Sequence, residues 1–241
     1  MRNLITLFLG ILFLLGTTSV SAQFVQERSI DENEPSIANQ MMQLAVFDDR
    51  SNKPMTATIR VRGLNPRKTV DFENIVDTTF VIKTYRLYSV TCVKPGYMYY
   101  AEKFWPEEKA VHTQEVRLKP LATGLKTDIR DIVFLGDKTE IYHKSKPALD
   151  ELIEFLTLNK SVRIAVIGHV NGPDNDRSER VYRKASLERA QAVVDYLVGA
   201  GIAPERLEAV GKGNTEMIYA DPQTEWQNEA NRRIEIEILS L

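Results

Sequence analysis

The first half of the chain alternates between hydrophobic and polar residues with a period of two. This alternation is clear at residues 57–62 and 88–92, and a third β-prone run covers residues 111–118. Turn-forming residues such as the Asp-Asp-Arg-Ser-Asn-Lys-Pro run at 48–54 separate these stretches. Several short strands divided by turns are typical of a β-sandwich. We therefore predict an antiparallel β-sandwich over residues 41–120.

After a joint at residues 119–124, helical and strand periods alternate. The predicted order is a strand at 132–135, a helix beginning near Ser145, a strand at 162–166, a helix with Leu187, Ala190, Val194 and Leu197 on one stripe, a short strand at 207–210 and a last strand at 234–238. A β-α-β-α-β-β order predicts helices on one face of a mixed sheet. The chain is thus predicted to be α+β, with this second module at residues 125–241.

The N-terminus has the layout of a secretory signal peptide. Arg2 precedes an apolar stretch, and small residues at 20–22 offer a cleavage site before Gln23. The apolar stretch is short for a membrane span, and an uncleaved anchor is the alternative. We predict a signal peptide at residues 1–22, a flexible lead at 23–40 and export of the protein.

Composition and spacing argue against several functional classes. The 31 basic and 33 acidic residues nearly balance, so no nucleic acid partner is predicted. Cys92 is the single cysteine, which excludes an internal disulfide and a cysteine metal cluster, and its mid-strand position predicts burial. None of the three histidines lies in a metal-ligand spacing, and no nucleophile elbow or phosphate loop is present. We predict no catalytic site, metal or cofactor.

The loop Gly-His-Val-Asn-Gly at 168–172 is a candidate binding site. Its two glycines permit unusual backbone angles, so backbone amides there can point at a ligand. Arg189 is predicted within the first turns of the next helix, near the end that favours anions. Together these features predict a carboxylate clamp. The alternative is that Arg189 forms a salt bridge with Asp174, Asp176 or Glu188.

Three blocks of the second module resemble the OmpA-like C-terminal domain, the peptidoglycan-associated module of Gram-negative envelopes. They read IVFLGDKTEIYHKSKPALDELIEFLTLNKSVRIAVIGHV, SLERAQAVVDYLVGAGIAPERLEAVGKG and NRRIEIEI, and they follow the family's order. The resemblance implies non-covalent binding of the diaminopimelate residue of the peptidoglycan stem peptide, with Arg189 holding its carboxylate. The site residues that it implies are Gly168, His169, Asn171, Gly172, Asp174, Arg189, Asn231 and Arg232.

Asn171 departs from the family, which has an aspartate at this position for the ammonium of diaminopimelate. A neutral acceptor in place of a carboxylate is expected to weaken binding about tenfold. Asp174 or Asp176, in a loop about three residues longer than usual, can supply the missing charge.

The first module resembles the carboxypeptidase-regulatory-like, transthyretin-like sandwich through NKPMTATIRV and YSVTCVKPGYMYY. Such modules are spacers or contact platforms in exported proteins. An aromatic cluster here either stacks on a sugar or partner, or fills the sandwich core. Its members are Tyr97, Tyr99, Tyr100, Phe104 and Trp105.

The pair of modules resembles envelope proteins of the Bacteroidetes. It implies a non-catalytic protein that tethers an outer-membrane or periplasmic component to peptidoglycan. The predicted location is the periplasm, in association with the outer membrane, with an outer-membrane protein as a second partner through the sandwich. The alternative function is an assembly subunit of an outer-membrane complex that uses the OmpA-like fold for protein contacts.

Overall fold

The computed structural model describes residues 38–64, 67–84, 86–104, 106, 111–129, 131–135, 138–173 and 178–241. The predicted signal peptide, Trp105, Asp174 and Asp176 therefore lie outside the described residues. The first strand begins at Asn39, two residues inside the segment predicted as a flexible lead.

Seven strands of the described chain form two facing sheets in the first module. They are β1 (Asn39–Asp48), β2 (Ala57–Leu64), β3 (Arg67–Ile75), β4 (Asp77–Lys83), β5 (Tyr88–Cys92), β6 (Tyr100–Phe104) and β7 (Val111–Leu118). One sheet has the order β4-β1-β7 and the other β3-β2-β5-β6. Alternate residues of β2 and β5, among them Ile59, Val61, Val90 and Cys92, are buried with Leu44 of β1 in one core. The predicted sandwich and the burial of Cys92 are confirmed.

One pair of strands departs from the predicted antiparallel arrangement of the sandwich. β1 and β7 pair in parallel, from Met41 opposite Val111 to Asp48 opposite Leu118. Between these strands the chain visits the other sheet twice, so no tight hairpin joins them. Strands joined by a long connection are free to pair in parallel, whereas hairpins enforce antiparallel pairing.

The second module is a mixed four-stranded sheet with three helices. Its elements are β8 (Lys126–Asp128), α1 (Lys146–Leu158), β9 (Arg163–His169), α2 (Glu179–Gly199), β10 (Leu207–Gly213), α3 (Glu225–Asn231) and β11 (Ile234–Ser240). The sheet order is β10-β9-β11-β8, with β9 and β10 parallel and the other pairs antiparallel. The mixed α+β fold is therefore confirmed.

Two details of that prediction are wrong. Residues 132–135 do not form a strand, and Phe134 makes only an isolated bridge to Ile141. The edge strand of the sheet is instead β8, which begins six residues before the predicted strand and pairs with β11. The short helix α3 was not predicted. Its signal is present in the sequence, since Thr224 and Gln227 form a capping box, a pattern that marks helix starts.

Both long helices bury their apolar faces against one face of the sheet. The core contains Phe155 of α1, Leu197 of α2, Ile164 of β9 and Ile236 of β11. Leu187 was predicted on the apolar stripe of α2 but is 41% exposed, because α2 is rotated so that Ser186 and Arg189 face inward. Among the described residues, no helix is long and apolar enough to cross a membrane.

A buried carboxylate joins the two modules. Glu151 of α1 is 1% exposed and accepts hydrogen bonds from Thr91 Oγ1 (2.7 Å) and Tyr99 Oη (2.8 Å). Arg60 and Arg62 of β2 donate to the same carboxylate. Tyr99 is thus a buried interface residue rather than part of an exposed stacking surface.

Candidate functional site

The 168–172 loop lies where β9 ends, and its first amides are already used inside the protein. The His169 amide donates to the carbonyl of Arg233 (3.0 Å), and the Val170 amide donates to the carbonyl of Gly213 (3.0 Å). These hydrogen bonds extend the pairing of β9 with its two neighbours. The prediction that backbone amides of this loop point at a ligand is therefore wrong for His169 and Val170.

Gly168 and Gly172 have ordinary backbone angles, so they are not required for a left-handed turn. A Cβ at Gly168 would lie 2.1 Å from the backbone oxygen of Ser186, and one at Gly172 would lie 2.6 Å from the Tyr182 ring. Both Ser186 and Tyr182 belong to α2. The glycines thus allow α2 to approach the end of β9 closely, which is a packing role. Tyr182 and Ser186 were missed as supports of the loop.

Arg189 lies on the buried face of α2, one turn after Ser186. It is ten residues from the helix start at Glu179, or about 15 Å at the usual rise. The prediction that it sits in the first turns is therefore wrong, and the helix dipole contributes little there. Arg189 is 8% exposed, and its guanidinium lies 5.3 Å from the centre of the Phe134 ring. Glu188, one of its alternative partners, lies 3.7 Å from Lys184.

The structure joins Asn171 directly to Asn231, another residue of the predicted site. Asn231 Nδ2 donates to Asn171 Oδ1 (2.8 Å), and Asn171 Nδ2 donates to Oδ1 of Asn228 (3.0 Å). Asn231 is fully buried and also exchanges hydrogen bonds with the backbone of Tyr219. Asn228 was missed. It lies three residues before Asn231 on α3, so recognising the capping box would have placed both on one helix face.

His169 and Arg232 do not join this amide cluster. Gly168 faces α2, and side chains alternate along a strand, so the His169 ring lies on the opposite face of the sheet. Its Nε2 is 3.4 Å from Oε2 of Glu235. The pKa of Glu235 is lowered to about 2, mainly by the neighbouring His169 and further by Arg233, although burial acts in the opposite direction. Arg232 forms an exposed ion pair with Glu225.

Two side chains of this region carry groups that can bind polar ligands. Asn171 presents a partly exposed amide, while Arg189 supplies a guanidinium whose fork matches a carboxylate. An amide oxygen has two lone pairs, so Asn171 Oδ1 can accept one hydrogen bond beyond that from Asn231.

Solved structures similar to this chain include two bacterial envelope proteins. The periplasmic domain of Helicobacter pylori MotB has a TM-score of 0.42 and 20% identity, covering 50% of this chain and 78% of that one. The peptidoglycan-associated lipoprotein from Burkholderia pseudomallei has a TM-score of 0.38 and 18% identity, covering 45% and 86%.

Curated relatives match about half of the chain. Outer membrane porin F of Pseudomonas fluorescens is 31% identical over 121 residues, covering 49% of this chain and 35% of the relative. Peptidoglycan-binding protein ArfA of Mycobacterium tuberculosis is 28% identical over 149 residues, covering 56% and 44%. Outer membrane protein A of Bordetella avium is 30% identical over 127 residues, covering 52% and 63%. The chain thus spans between about one third and two thirds of the length of these three relatives.

The OmpA family matches residues 133–232. This range contains the loop with Asn171, the helix with Arg189 and the paired Asn231. Residues 133–232 of this chain are therefore an OmpA-like domain.

Proposed function

We propose that the protein is a non-catalytic envelope protein that binds peptidoglycan through its OmpA-like domain. The observation that carries the proposal is the OmpA family match at 133–232, which includes both Asn171 and Arg189. A relative that matches 56% of this chain is named a peptidoglycan-binding protein, and another that matches 52% is named an outer membrane protein. In this proposal the protein works in the periplasm and tethers an outer-membrane or periplasmic component to the wall.

The ligand in this proposal is the diaminopimelate residue of the stem peptide, a zwitterion. Arg189 takes its carboxylate through two parallel hydrogen bonds. The Oδ1 atom of Asn171 accepts from its ammonium with the lone pair that Asn231 leaves free. Because the acceptor is neutral, binding is about tenfold weaker than a carboxylate in this position would give.

The first experiment is co-sedimentation of the chain with purified diaminopimelate-type sacculi. Wild type is expected to pellet with the wall. Arg189→Ala is expected to lose at least about tenfold in affinity, since hydrogen bonds to charged groups contribute about 1.5–3 kcal/mol each. Arg183→Ala is the matched control, because Arg183 is an exposed arginine of the same helix, paired with Glu179. Circular dichroism confirms that each variant is folded. Equal pelleting of Arg189→Ala and Arg183→Ala would exclude Arg189 as the clamp.

Restoring the carboxylate at position 171 requires a second change. Asn171 donates to Asn228, whose own Nδ2 donates to Glu225 (3.2 Å). An aspartate at 171 would place a carboxylate oxygen next to Oδ1 of Asn228, and two acceptors repel each other. If the Asn228 amide rotates to donate to the aspartate, its oxygen then faces the carboxylate of Glu225. Asn171→Asp with Glu225→Gln removes this conflict. We expect the double variant to pellet more strongly than wild type, whereas Glu225→Gln alone does not. Unchanged pelleting of the double variant contradicts the role of Asn171.

A row of exposed apolar residues supports the second candidate function, an assembly subunit of an outer-membrane complex. Met41 of β1 lies directly opposite Val81 of β4 and Val111 of β7, and all three are exposed on the sandwich. In this function, Val81→Ser releases the chain from a large detergent-extracted complex on size exclusion, whereas Arg189→Ala does not. The opposite pattern favours the wall-binding function.

A further inference from the structure

Three side chains from separate segments converge on the face of the sheet away from α1 and α2. His169 ends β9, Glu235 lies on β11, and Glu216 lies in the segment after β10. One nitrogen or oxygen of each lies within 4.8 Å of those of the other two. No local sequence spacing joins these residues, so no metal-ligand motif marks them in the sequence.

The His169 ring is the unusual member of this cluster. It is 2% exposed, and among the described residues neither ring nitrogen makes a hydrogen bond. Nε2 lies 3.4 Å from Oε2 of Glu235, within ion-pair range but outside hydrogen-bond geometry. Buried polar atoms nearly always have a partner, and a bound metal ion can be that partner.

Each carboxylate accepts a hydrogen bond from a basic side chain through its Oε1 atom. Arg233 Nε donates to Oε1 of Glu235 (2.7 Å), and Lys212 Nζ donates to Oε1 of Glu216 (2.8 Å). The Oε2 atom of Glu235 is the one that faces His169. Outer partners of this kind orient the ligands of metal sites.

We propose that His169, Glu216 and Glu235 bind a divalent transition metal ion, for which Zn²⁺ is the suitable probe. One imidazole nitrogen and two carboxylate oxygens are ligands that Zn²⁺ takes, and water completes a tetrahedral site. Bonds of about 2.0–2.1 Å place neighbouring tetrahedral ligands about 3.3 Å apart, close to the present separation of His169 and Glu235.

Glu216 is the solvent-exposed ligand of this site. Its side chain is 42% exposed, so it can close on an ion that has reached the other two ligands. The two carboxylates balance the charge of the ion, while Arg233 and Lys212 repel it and keep the affinity moderate. The site is separate from the Asn171 amide cluster and does not depend on peptidoglycan binding.

The test is calorimetric titration of Zn²⁺ into the purified chain after treatment with a chelator. We expect saturable binding of one ion per chain and a loss of at least about tenfold in affinity for Glu216→Gln. Glu208→Gln is the matched control. Glu208 is also an exposed glutamate of this face, opposite Ala165 and four positions from His169 along the sheet. It should bind Zn²⁺ as wild type does.

A second readout follows the His169 ring nitrogens by NMR during the titration, with both variants first shown to be folded. A shift of the Nε2 resonance that saturates at one equivalent supports the site. The proposal is overturned by the absence of saturable binding, by equal affinity of Glu216→Gln and wild type, or by an equal loss in Glu208→Gln.

Discussion

Replacing Glu151 by alanine tests whether one carboxylate holds the two modules together. Glu151 lies on α1 of the OmpA-like domain, whereas its donors Arg60, Arg62, Thr91 and Tyr99 all belong to the sandwich. The pKa of Tyr99 is raised well above its usual value by burial and by the nearby Glu151, so it stays a hydroxyl donor. The variant therefore removes the acceptor of four donors in one step.

The expected cost follows from what the donors lose. Removing one partner of a buried ion pair costs about 3–5 kcal/mol, and an unsatisfied buried hydroxyl costs about 1–3 kcal/mol. Two features reduce this sum. Arg60 keeps a bond to Asp71 (3.0 Å), and the side chains of Arg60 and Arg62 are 28% and 17% exposed, so water reaches them. We expect Glu151→Ala to lower the free energy of unfolding by about 3 kcal/mol.

The assay is equilibrium unfolding in urea, with thermal unfolding as a second measurement. A chain of this size shifts by about 2–4 °C per kcal/mol, so Tm should fall by about 6–12 °C. Glu154→Ala is the control, because Glu154 reaches the same Arg60 at 3.6 Å but its side chain is 45% exposed. An exposed pair contributes about 1 kcal/mol or less. If both variants lose the same stability, the buried carboxylate is not the joint that we infer.

Three further predictions test other parts of the structure. Gly168→Ala should lower the free energy of unfolding, measured in urea, by about 1–3 kcal/mol because the new Cβ would clash with the backbone of α2. Gly199→Ala is the control; it has open space around it and should be neutral or up to about 1 kcal/mol more stable. Equal effects of the two substitutions would contradict the packing role of Gly168. A hydrogen bond from the Ser51 backbone is the main cause of the lowered pKa of Asp48. The wild-type protein should therefore be more stable than Asp48→Asn by a constant amount above the usual pKa of 3.8, and this difference should shrink as pH falls below that value. A difference that grows in acid would refute this prediction. Burial raises the pKa of the Cys92 thiol to about 12, so a disulfide reagent at pH 8 should label it only after unfolding, and rapid labelling of the native chain contradicts its burial.

Much of the fold could be predicted because its signals are local. The alternation of Ile234, Ile236 and Ile238 predicts a strand with one buried face, and all three are buried. The helix starting near Ser145 is α1, with Pro147 in its first turn where proline fits. Such periods depend on neighbours in the chain, so they can be recognised without the tertiary structure.

The candidate site could be predicted only in part. Asn171 and Asn231, both among the predicted site residues, form a hydrogen bond, and Arg189 lies on the buried face of α2. The sequence could not reveal the role of Gly168 and Gly172. A glycine that is needed for close packing against α2 looks the same in the sequence as a glycine that is needed for a turn. The loop motif grouped His169 with Gly168 because they are neighbours in sequence. Successive strand residues point in opposite directions, so the two lie on opposite faces of the sheet.

The sequence by itself determined the alternating patterns, the two modules and the family resemblance of the second one. The tertiary structure decided the parallel pairing of β1 with β7, the burial of Glu151 and the meeting of His169 with Glu216 and Glu235. In the sequence Glu151 looks like a polar position on an amphipathic helix; it is buried because the sandwich packs on that side of α1 and supplies four donors. Local periods specify which face of an element is apolar, but the fate of a charged side chain depends on what the rest of the chain places opposite it.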